Sequence, residues 1–149
     1  MIFNQKESIA PELKEQLQQY VYDVIGCIQE VYKDLPNGMP EYIYQEALGS
    51  VFADACLGAV KEYRHHPLFR GKPLESYLKM DFMIPRSRGN IIIECKALEK
   101  LTSTEYHQLF SYMSGTGFPI GIIVNFHSYP RVLIHKFYYD HSDNTITAF

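Results

Sequence analysis

One stretch of sequence decides the fold of this chain, and it reads Ile91-Ile92-Ile93-Glu94-Cys95-Lys96-Ala97. A short apolar run of this kind is typical of a central β-strand that is buried on both faces. Residues two apart in a strand lie about 6.6 Å apart on the same face, so Glu94 and Lys96 share a face and Cys95 points to the opposite one. The stretch therefore predicts a buried strand that ends with a carboxylate beside an ammonium group.

A second predicted strand, over residues 77–84, precedes this stretch and supplies another carboxylate. Its alternating pattern places Leu78, Met80, Phe82 and Ile84 on one face and Tyr77, Lys79, Asp81 and Met83 on the other. Because only a short turn joins the two strands, we expect Asp81 to lie beside Glu94. Adjacent carboxylates on a largely apolar sheet repel each other unless a proton or a cation neutralises them.

A magnesium ion would suit this pair, because Mg²⁺ binds carboxylate oxygens and retains several waters. A bound cation lowers the pKa of a coordinated water and polarises a phosphoryl oxygen. Lys96 would then orient the attacking water or offset charge that develops on the phosphate. The triplet alone does not establish such a site, because charged residues are common enough that a D/E-x-K triplet is expected about once in a chain of this length. From the residues alone, a cation site and a cross-strand ion pair are equally open.

Helices are predicted on either side of these strands. Apolar residues at helical spacing and a capping box at Thr102 and Glu105 predict three helices, over about residues 11–33, 40–58 and 102–114. Further strands are predicted over about residues 59–70, 120–125 and 131–139, with a turn and a short strand at the C-terminal end. This order of elements predicts an α/β chain without internal repeats or an interdomain linker.

Five groups of residues stand in order along the chain: Gly38-Met39-Pro40-Glu41-Tyr42-Ile43-Tyr44 with Gln45-Glu46-Ala47-Leu48, Asp81-Phe82-Met83-Ile84, Glu94-Cys95-Lys96-Ala97, Gln108-Leu109-Phe110-Ser111-Tyr112 and Gly121-Ile122-Ile123-Val124-Asn125-Phe126. Over roughly residues 21–136 they resemble the GxxExxY protein family, a branch of the PD-(D/E)XK nuclease superfamily. The resemblance implies an α/β, restriction-endonuclease-like fold with a PD-(D/E)XK core, in which a mixed central sheet is flanked by helices. It implies one domain over residues 1–149, with an N-terminal helix at about 11–33 and the core at about 38–149.

The resemblance also assigns roles to individual residues. It implies that Asp81 and Glu94 are metal ligands, that Lys96 is the catalytic lysine, and that Glu41 is the helix-borne acidic residue of the site and a further candidate ligand. The alternative for Glu41 is a helix first-turn charge, favourable near the positive end of the helix dipole, and the family motif favours the functional role over it. Glu46, five residues further on, is predicted to face solvent.

Two more residues match the family on the third predicted helix. Gln108 and Tyr112 are four apart, hence on one helical face, and match the Q-x-x-x-Y element that lies beside the active site in the family. The chain departs from the family pattern at two places. Met80 stands where relatives have Pro before the aspartate, and His127 stands where relatives often have Gly, so no role is assigned to that last loop.

The overall charge restricts how such a protein could bind nucleic acid. The 149 residues carry a net charge of −3, whereas proteins that coat DNA non-specifically are usually basic. Any contact must use a local patch, a metal or a partner. One candidate rim for phosphates comprises Arg64, Arg70, Lys72, Arg86 and Arg88, although exposed turns are normally charged.

Cysteine usage and hydropathy suggest a location. The three cysteines are far apart and form no zinc motif, which predicts reduced thiols in a cytoplasmic protein. No basic, apolar and small-residue progression indicates a signal peptide at the first residues, and no apolar run approaches the ~20 residues that span a bilayer. We therefore expect no association with a membrane.

The leading functional hypothesis is a Mg²⁺-dependent nuclease that hydrolyses phosphodiester bonds, with Mn²⁺ able to replace Mg²⁺ and with DNA favoured over RNA. One alternative is a non-catalytic module that binds nucleic acid or protein on the same fold. Another is an interaction protein, as a homodimer, with a vestigial site. The sequence does not indicate strandedness, polarity of cleavage or the number of metals.

Overall fold

A seven-stranded mixed sheet forms the centre of the molecule, which is described here from a computed structural model over residues 4–149. The strands, in chain order, are β1 (Asn4–Gln5), β2 (Val60–His65), β3 (Leu68–Phe69), β4 (Lys72–Pro73), β5 (Leu78–Ile84), β6 (Ile91–Lys96), β7 (Ile120–Asn125), β8 (Leu133–Asp140) and β9 (Thr145–Ala148). The sheet order is β1-β9-β8-β7-β6-β5-β2, while β3 and β4 form a separate hairpin. β6 pairs with β7 in parallel and with β5 antiparallel, so the sheet is mixed, as the resemblance implied.

Helices cover both faces of this sheet. They are α1 (Pro11–Tyr20), α2 (Tyr22–Asp34), α3 (Glu41–Asp54) and α4 (Ser103–Thr116). The first three bury apolar side chains in one core cluster, and α4 packs against the opposite face in a second cluster. None of the helices in residues 4–149 is long and apolar enough to cross a membrane.

The predicted N-terminal helix over residues 11–33 is in fact two helices, so that prediction was wrong about continuity. Val21 has φ −104° and ψ 3°, which interrupts the helix between α1 and α2. Its amide still donates to the Leu17 carbonyl at 3.2 Å, and its side chain is fully buried. Because the apolar spacing continues through this buried residue, the sequence pattern gave no sign of the break.

The predicted strand over residues 59–70 is shorter than expected. β2 ends at His65, just before Pro67, which cannot donate to a ladder. The chain then forms the β3–β4 hairpin, whose turn residues Arg70 and Gly71 have φ values of 51° and 79°. Residues 68–70 therefore belong to the hairpin instead of β2.

The predicted faces of the strand over residues 77–84 are also partly wrong. Leu78 and Met80 pack in the cluster under α4, whereas Phe82 and Ile84 pack in the cluster under α1 to α3. The backbone register between β5 and β6 runs from Ile84 only as far as Phe82. Beyond Phe82, hydrogen bonds that involve the side chains of Asp81 and Glu94 replace the ladder. Past this point the strand directs Met80 and Leu78 to the opposite core cluster.

The strand that decides the fold is placed as expected. Residues 91–95 are buried, with Ile91, Ile93 and Cys95 in the cluster under α1 to α3. Glu94 and Lys96 therefore face α4. The N-terminus of α4 forms the predicted capping box, in which Thr102 Oγ1 accepts from the Thr104 amide and a Glu105 carboxylate oxygen accepts from the Thr102 amide.

Candidate active site

Asp81 and Glu94 face each other across the end of the β5–β6 ladder. The Asp81 amide donates to Glu94 Oε1 at 3.0 Å, and the Cys95 amide donates to Asp81 Oδ2 at 2.8 Å. Each carboxylate thus uses one oxygen to satisfy a backbone amide that the interrupted ladder leaves unpaired.

Burial makes this pair hard to ionise. Glu94 is only 3% exposed, and burial, together with the Asp81 charge, raises the pKa of Glu94 to about 8. Burial likewise raises the pKa of Asp81, although the Cys95 amide and the Lys96 charge act to lower it. Two acidic groups this close cannot both be charged without a compensating cation. The pair can therefore share a proton or hold a metal ion.

Lys96 lies beside the pair and is held by α4. Its Nζ donates to Gln108 Oε1 at 3.0 Å, and Gln108 also hydrogen-bonds the Tyr112 hydroxyl. Burial raises the pKa of Tyr112 to about 12, with the charges of Glu94 and Asp81 adding to the effect. The structure therefore brings Gln108 and Tyr112 together with the strand residues.

Glu41 enters the site from the opposite side, at the first residue of α3. The backbone amide of Ala97, directly after β6, acts on its carboxylate and lowers its pKa. Burial raises the pKa of Glu41, the Lys96 charge lowers it and the Asp81 charge raises it further. Glu41 is thus close enough to both residues to interact with their charges, whereas Glu46 on the same helix is exposed.

Packing beneath α3 fixes where Glu41 lies. The Tyr44 ring stacks on Phe126 with centroids 4.6 Å apart, and its hydroxyl donates to the Pro36 carbonyl at 3.1 Å. His127 Nε2 donates to the Met39 carbonyl at 2.7 Å. Tyr44 and His127 therefore position the start of α3 without joining the acidic cluster, and the loop for which no role was assigned helps to support Glu41.

Asn125 is a supporting residue that the sequence analysis left without a role. It is 2% exposed, its side-chain oxygen accepts from the Leu98 amide at 3.0 Å, and its side-chain nitrogen donates to the Leu98 carbonyl at 2.8 Å. These bonds fix the chain directly after Lys96. The signal available in the sequence was a single amide residue at the end of an otherwise apolar strand.

The candidate phosphate rim is divided in two. Arg86 pairs with Asp23 at 2.6 Å, and it lies with Arg88 in the β5–β6 turn, at the end of β6 away from Lys96. Arg64, Arg70 and Lys72 instead lie at the end of β2 and on the β3–β4 hairpin, and all three are exposed. A single rim of these five residues does not exist.

The carboxylates fit a divalent cation by their chemistry, because Asp81 and Glu94 offer hard oxygen donors and a negative charge that burial leaves uncompensated. The protein does not supply a full set of ligands, since no group of three or more His, Cys, Asp or Glu side chains in residues 4–149 is close enough to hold a metal. Waters would have to supply the remaining ligands, which is the usual coordination of Mg²⁺.

The mixed sheet, with helices on both faces and an acidic pair at a strand end, defines a restriction-endonuclease-like protein. A sequence model of the PD-(D/E)XK nuclease superfamily matches residues 18–137, and the chain belongs to that superfamily. Nucleases of the superfamily generally use divalent metals and bind nucleic acid.

Comparison with individual proteins adds little to this assignment. The crystal structure of SSO0001 is similar to this chain with a TM-score of 0.48 and 22% sequence identity, over 63% of this chain and 47% of that one. This chain thus spans about half the length of that protein. A comparison with curated proteins gives no match.

Proposed function

We propose that this protein is a metal-dependent nuclease of the GxxExxY branch, which hydrolyses phosphodiester bonds in DNA. The observation that carries the proposal is the Asp81–Glu94 pair, in which each carboxylate accepts a hydrogen bond from a backbone amide of the other residue's strand. Holding two acids together in this way is costly unless a cation binds them. A cross-strand ion pair with Lys96 would need only one carboxylate, whereas the site has two.

In this proposal Asp81 and Glu94 hold Mg²⁺ or Mn²⁺, and Glu41 supports the same ion from α3 directly or through water. The bound cation would lower the pKa of a coordinated water and polarise the scissile phosphate. Lys96 orients the attacking water or offsets charge on the phosphate. Water adds to phosphorus and loses a proton to solvent, the phosphodiester P–O bond breaks, and the departing oxygen takes up a proton from solvent.

Gln108 acts as a positioning residue in this scheme, because it holds the Lys96 ammonium through its Oε1 atom. Tyr112 is buried beside Gln108, and its hydroxyl stays protonated at neutral pH, as that of an ordinary tyrosine does. We also propose that residues 1–149 form a single domain. This is supported by the parallel pairing of β1 with β9, which joins the two ends of the described chain in one sheet.

The decisive assay incubates labelled single- and double-stranded DNA and RNA with the protein in Mg²⁺, in Mn²⁺ and in EDTA. We expect cleavage of DNA with either metal and none with EDTA. Glu94→Gln and Lys96→Met should each reduce the rate by about 100-fold or more, as is typical when a group that stabilises the transition state is removed. Glu41→Gln tests the helix carboxylate, with Glu46→Gln as its matched control on the same helix.

The assignment would be abandoned if cleavage persisted in EDTA, or if the Glu94 and Lys96 variants cleaved as fast as the unaltered protein. If Glu46→Gln lost as much activity as Glu41→Gln, the role proposed for Glu41 would fail while the strand pair stood. Isothermal titration with Mn²⁺ measures the ligand set separately from turnover, since Asp81→Asn and Glu94→Gln should each lose the binding.

The structure also favours a second candidate by one observation, the lack of three assembled ligand side chains in residues 4–149. A non-catalytic module that captures nucleic acid through this fold would need no metal, and one proton shared by Asp81 and Glu94 would leave the pair with a single negative charge. This candidate predicts capture of nucleic acid that survives Asp81→Asn and EDTA. Loss of capture in EDTA would exclude it.

A further inference from the structure

The β3–β4 hairpin is an exposed arm with both apolar and basic side chains. Leu68 is 68% exposed and Phe69 is 58% exposed, and Leu74 and Tyr77 directly beyond the hairpin are each 44% exposed. Large apolar side chains this exposed mark interaction sites when they are contiguous. The hairpin extends from the edge strand β2 and is not part of the main sheet.

The charge around this arm is opposite to that of the whole protein. The segment from residue 61 to residue 79 contains five Lys and Arg residues and two Glu residues, although the whole chain has a net charge of −3. The ion pairs found among residues 4–149 involve Lys6 and Arg86, so the basic side chains of this segment form none. A local positive patch on an acidic protein is the expected footprint for a polyanion.

The aromatic rings of the arm are combined with these charges. The Arg70 guanidinium lies 5.2 Å from the Phe69 ring centroid, and the Arg64 guanidinium lies 4.8 Å from the Tyr77 ring centroid. Phe69 pairs directly with Lys72 across the hairpin, so these two side chains share one face. A ring with cations around it can stack on a base while the cations contact the flanking phosphates.

The turn of the hairpin carries an arginine in a conformation that suits glycine or asparagine better. Arg70 has φ 51° and Gly71 has φ 79°, the pair of positive values found in tight two-residue hairpin turns. A non-glycine residue at such a φ is strained, and strain of this kind is often associated with function. A short, closed turn also holds the arginine at a fixed place.

The arm lies at the end of the sheet that contains the candidate site. His65 at the end of β2 pairs with Leu78 at the start of β5, and Asp81 follows three residues later, about 10 Å along the strand. Arg64 pairs in register with Lys79, an exposed residue whose charge acts on Asp81. Arg64 and Lys79 thus form a basic path between the hairpin and the acidic pair.

We infer that the β3–β4 hairpin binds unpaired bases of a nucleic acid, with Phe69 stacking on a base and Arg70 and Lys72 contacting phosphates, and so delivers single-stranded or unpaired segments to the Asp81–Glu94 site. The inference rests on the proposed function for its choice of nucleic acid as the ligand. Bases inside a duplex do not present their faces, so an exposed aromatic ring favours an unstacked strand. A protein partner would more simply meet apolar side chains without this excess of positive charge.

The test measures binding of fluorescent oligonucleotides by anisotropy in EDTA, where cleavage does not interfere, using single-stranded DNA, single-stranded RNA and blunt duplex DNA. We expect a single strand to bind more tightly than the duplex. Phe69→Ala should weaken single-strand binding by about 5- to 10-fold, as is typical for loss of one stacked base, and should change duplex binding much less. Tyr22→Ala, at an exposed aromatic residue on α2, should leave both affinities unchanged.

Charge is tested by Arg70→Asn, since asparagine tolerates the positive φ of this turn. Binding of single strands should weaken, and the slope of log affinity against log salt should fall by about 1. Arg88→Asn, at an exposed arginine in the distant β5–β6 turn, is the matched control and should change neither quantity.

Equal binding of single strands by Phe69→Ala and the unaltered protein would overturn the inference. So would a dimer in solution that Leu68→Ala or Phe69→Ala converts to monomer, because the arm would then be a contact between two copies of the chain. Binding through the arm without any metal-dependent cleavage would refute the proposed hydrolysis and leave the arm's role intact. Cleavage that is unaffected in the arm variants would refute the role of the arm and leave the proposed hydrolysis intact.

Discussion

The backbone amide of Asp81 donates to the side-chain carboxylate of Glu94 at 3.0 Å, so a side chain occupies a position where a strand ladder would place a carbonyl. The reciprocal bond joins the Cys95 amide to Asp81 Oδ2 at 2.8 Å. This exchange fixes two acids at the point where β5 and β6 separate. It stabilises the strands and also creates an acidic pair that can bind a proton or a cation.

The first prediction concerns stability and pH without metal. Because burial raises the pKa of Glu94 from 4.5 to about 8, the folded protein holds a proton that the unfolded chain releases between these values. This contribution to stability is fully present below about pH 4.5 and is lost as pH rises through about 8. The free energy of unfolding should fall across this window by on the order of 5 kcal/mol at most, as measured by urea denaturation.

Metal should oppose that loss. Added Mn²⁺ should raise the melting temperature more at pH 8 than at pH 5.5, because the cation competes with the shared proton for Asp81 and Glu94. Glu94→Gln should flatten the pH dependence and remove the metal effect, whereas Glu46→Gln should retain both. An equal shift by Mn²⁺ at the two pH values would show that the proton and the metal do not compete.

The strand that carries Glu94 and Lys96 was predictable because a long apolar run has few structural solutions. Its burial follows from composition, and the shared face of Glu94 and Lys96 follows from the pleat. The proximity of Asp81 to Glu94 followed from the short turn between their strands. The resemblance to the nuclease family then supplied Glu41, which no local pattern connects to the strands. In the structure, the charges of Lys96 and Asp81 act on the pKa of Glu41.

Other features depend on tertiary contacts that no short sequence window contains. Phe82 packs in a different core cluster from Met80, although the two residues are two apart in the strand. The change occurs where the side chains of Asp81 and Glu94 replace ladder bonds, so the alternation assumed for the strand does not hold. Val21 interrupts a helix while keeping its side chain buried. The edge pairing of β1 with β9 joins residues at opposite ends of the chain, and no sequence pattern indicates it.

The second prediction concerns Gln108. Because Gln108 is exposed and holds the Lys96 ammonium at 3.0 Å, Gln108→Ala should lower kcat by about 10-fold, the loss expected for one hydrogen bond to a charged group. KM should change little, and the free energy of unfolding should stay within about 0.5 kcal/mol of the original value. Ser111→Ala, at an exposed residue on the same helix, is the control. A loss of stability that matches the loss of rate would make Gln108 merely structural.

The third prediction concerns Asn125, whose side-chain amide accepts from and donates to the Leu98 backbone. Asn125→Leu should leave the partly buried amide and carbonyl of Leu98 without their partner and destabilise the protein by about 2–4 kcal/mol. Asn125→Asp keeps an acceptor, and when the acid is protonated its O–H can donate in place of the amide, so at low pH it should cost less than Asn125→Leu. Urea denaturation at two pH values measures both. Equal stability of the two variants at low pH would contradict this account.

The last prediction compares two glycines with opposite surroundings. A Cβ at Gly89 would lie 2.3 Å from Pro119 Cγ, and its φ is 128°, so Gly89→Ala should destabilise the protein by at least about 2 kcal/mol through overpacking and backbone strain. Gly26 lies within α2 with no heavy atom within 4 Å of the added Cβ. Gly26→Ala should therefore stabilise the protein by about 0.5–1 kcal/mol, because alanine has the higher helix propensity. Thermal and urea denaturation of the two variants should shift in opposite directions, and a neutral Gly89→Ala would show that the β5–β6 turn and Pro119 can move apart without cost.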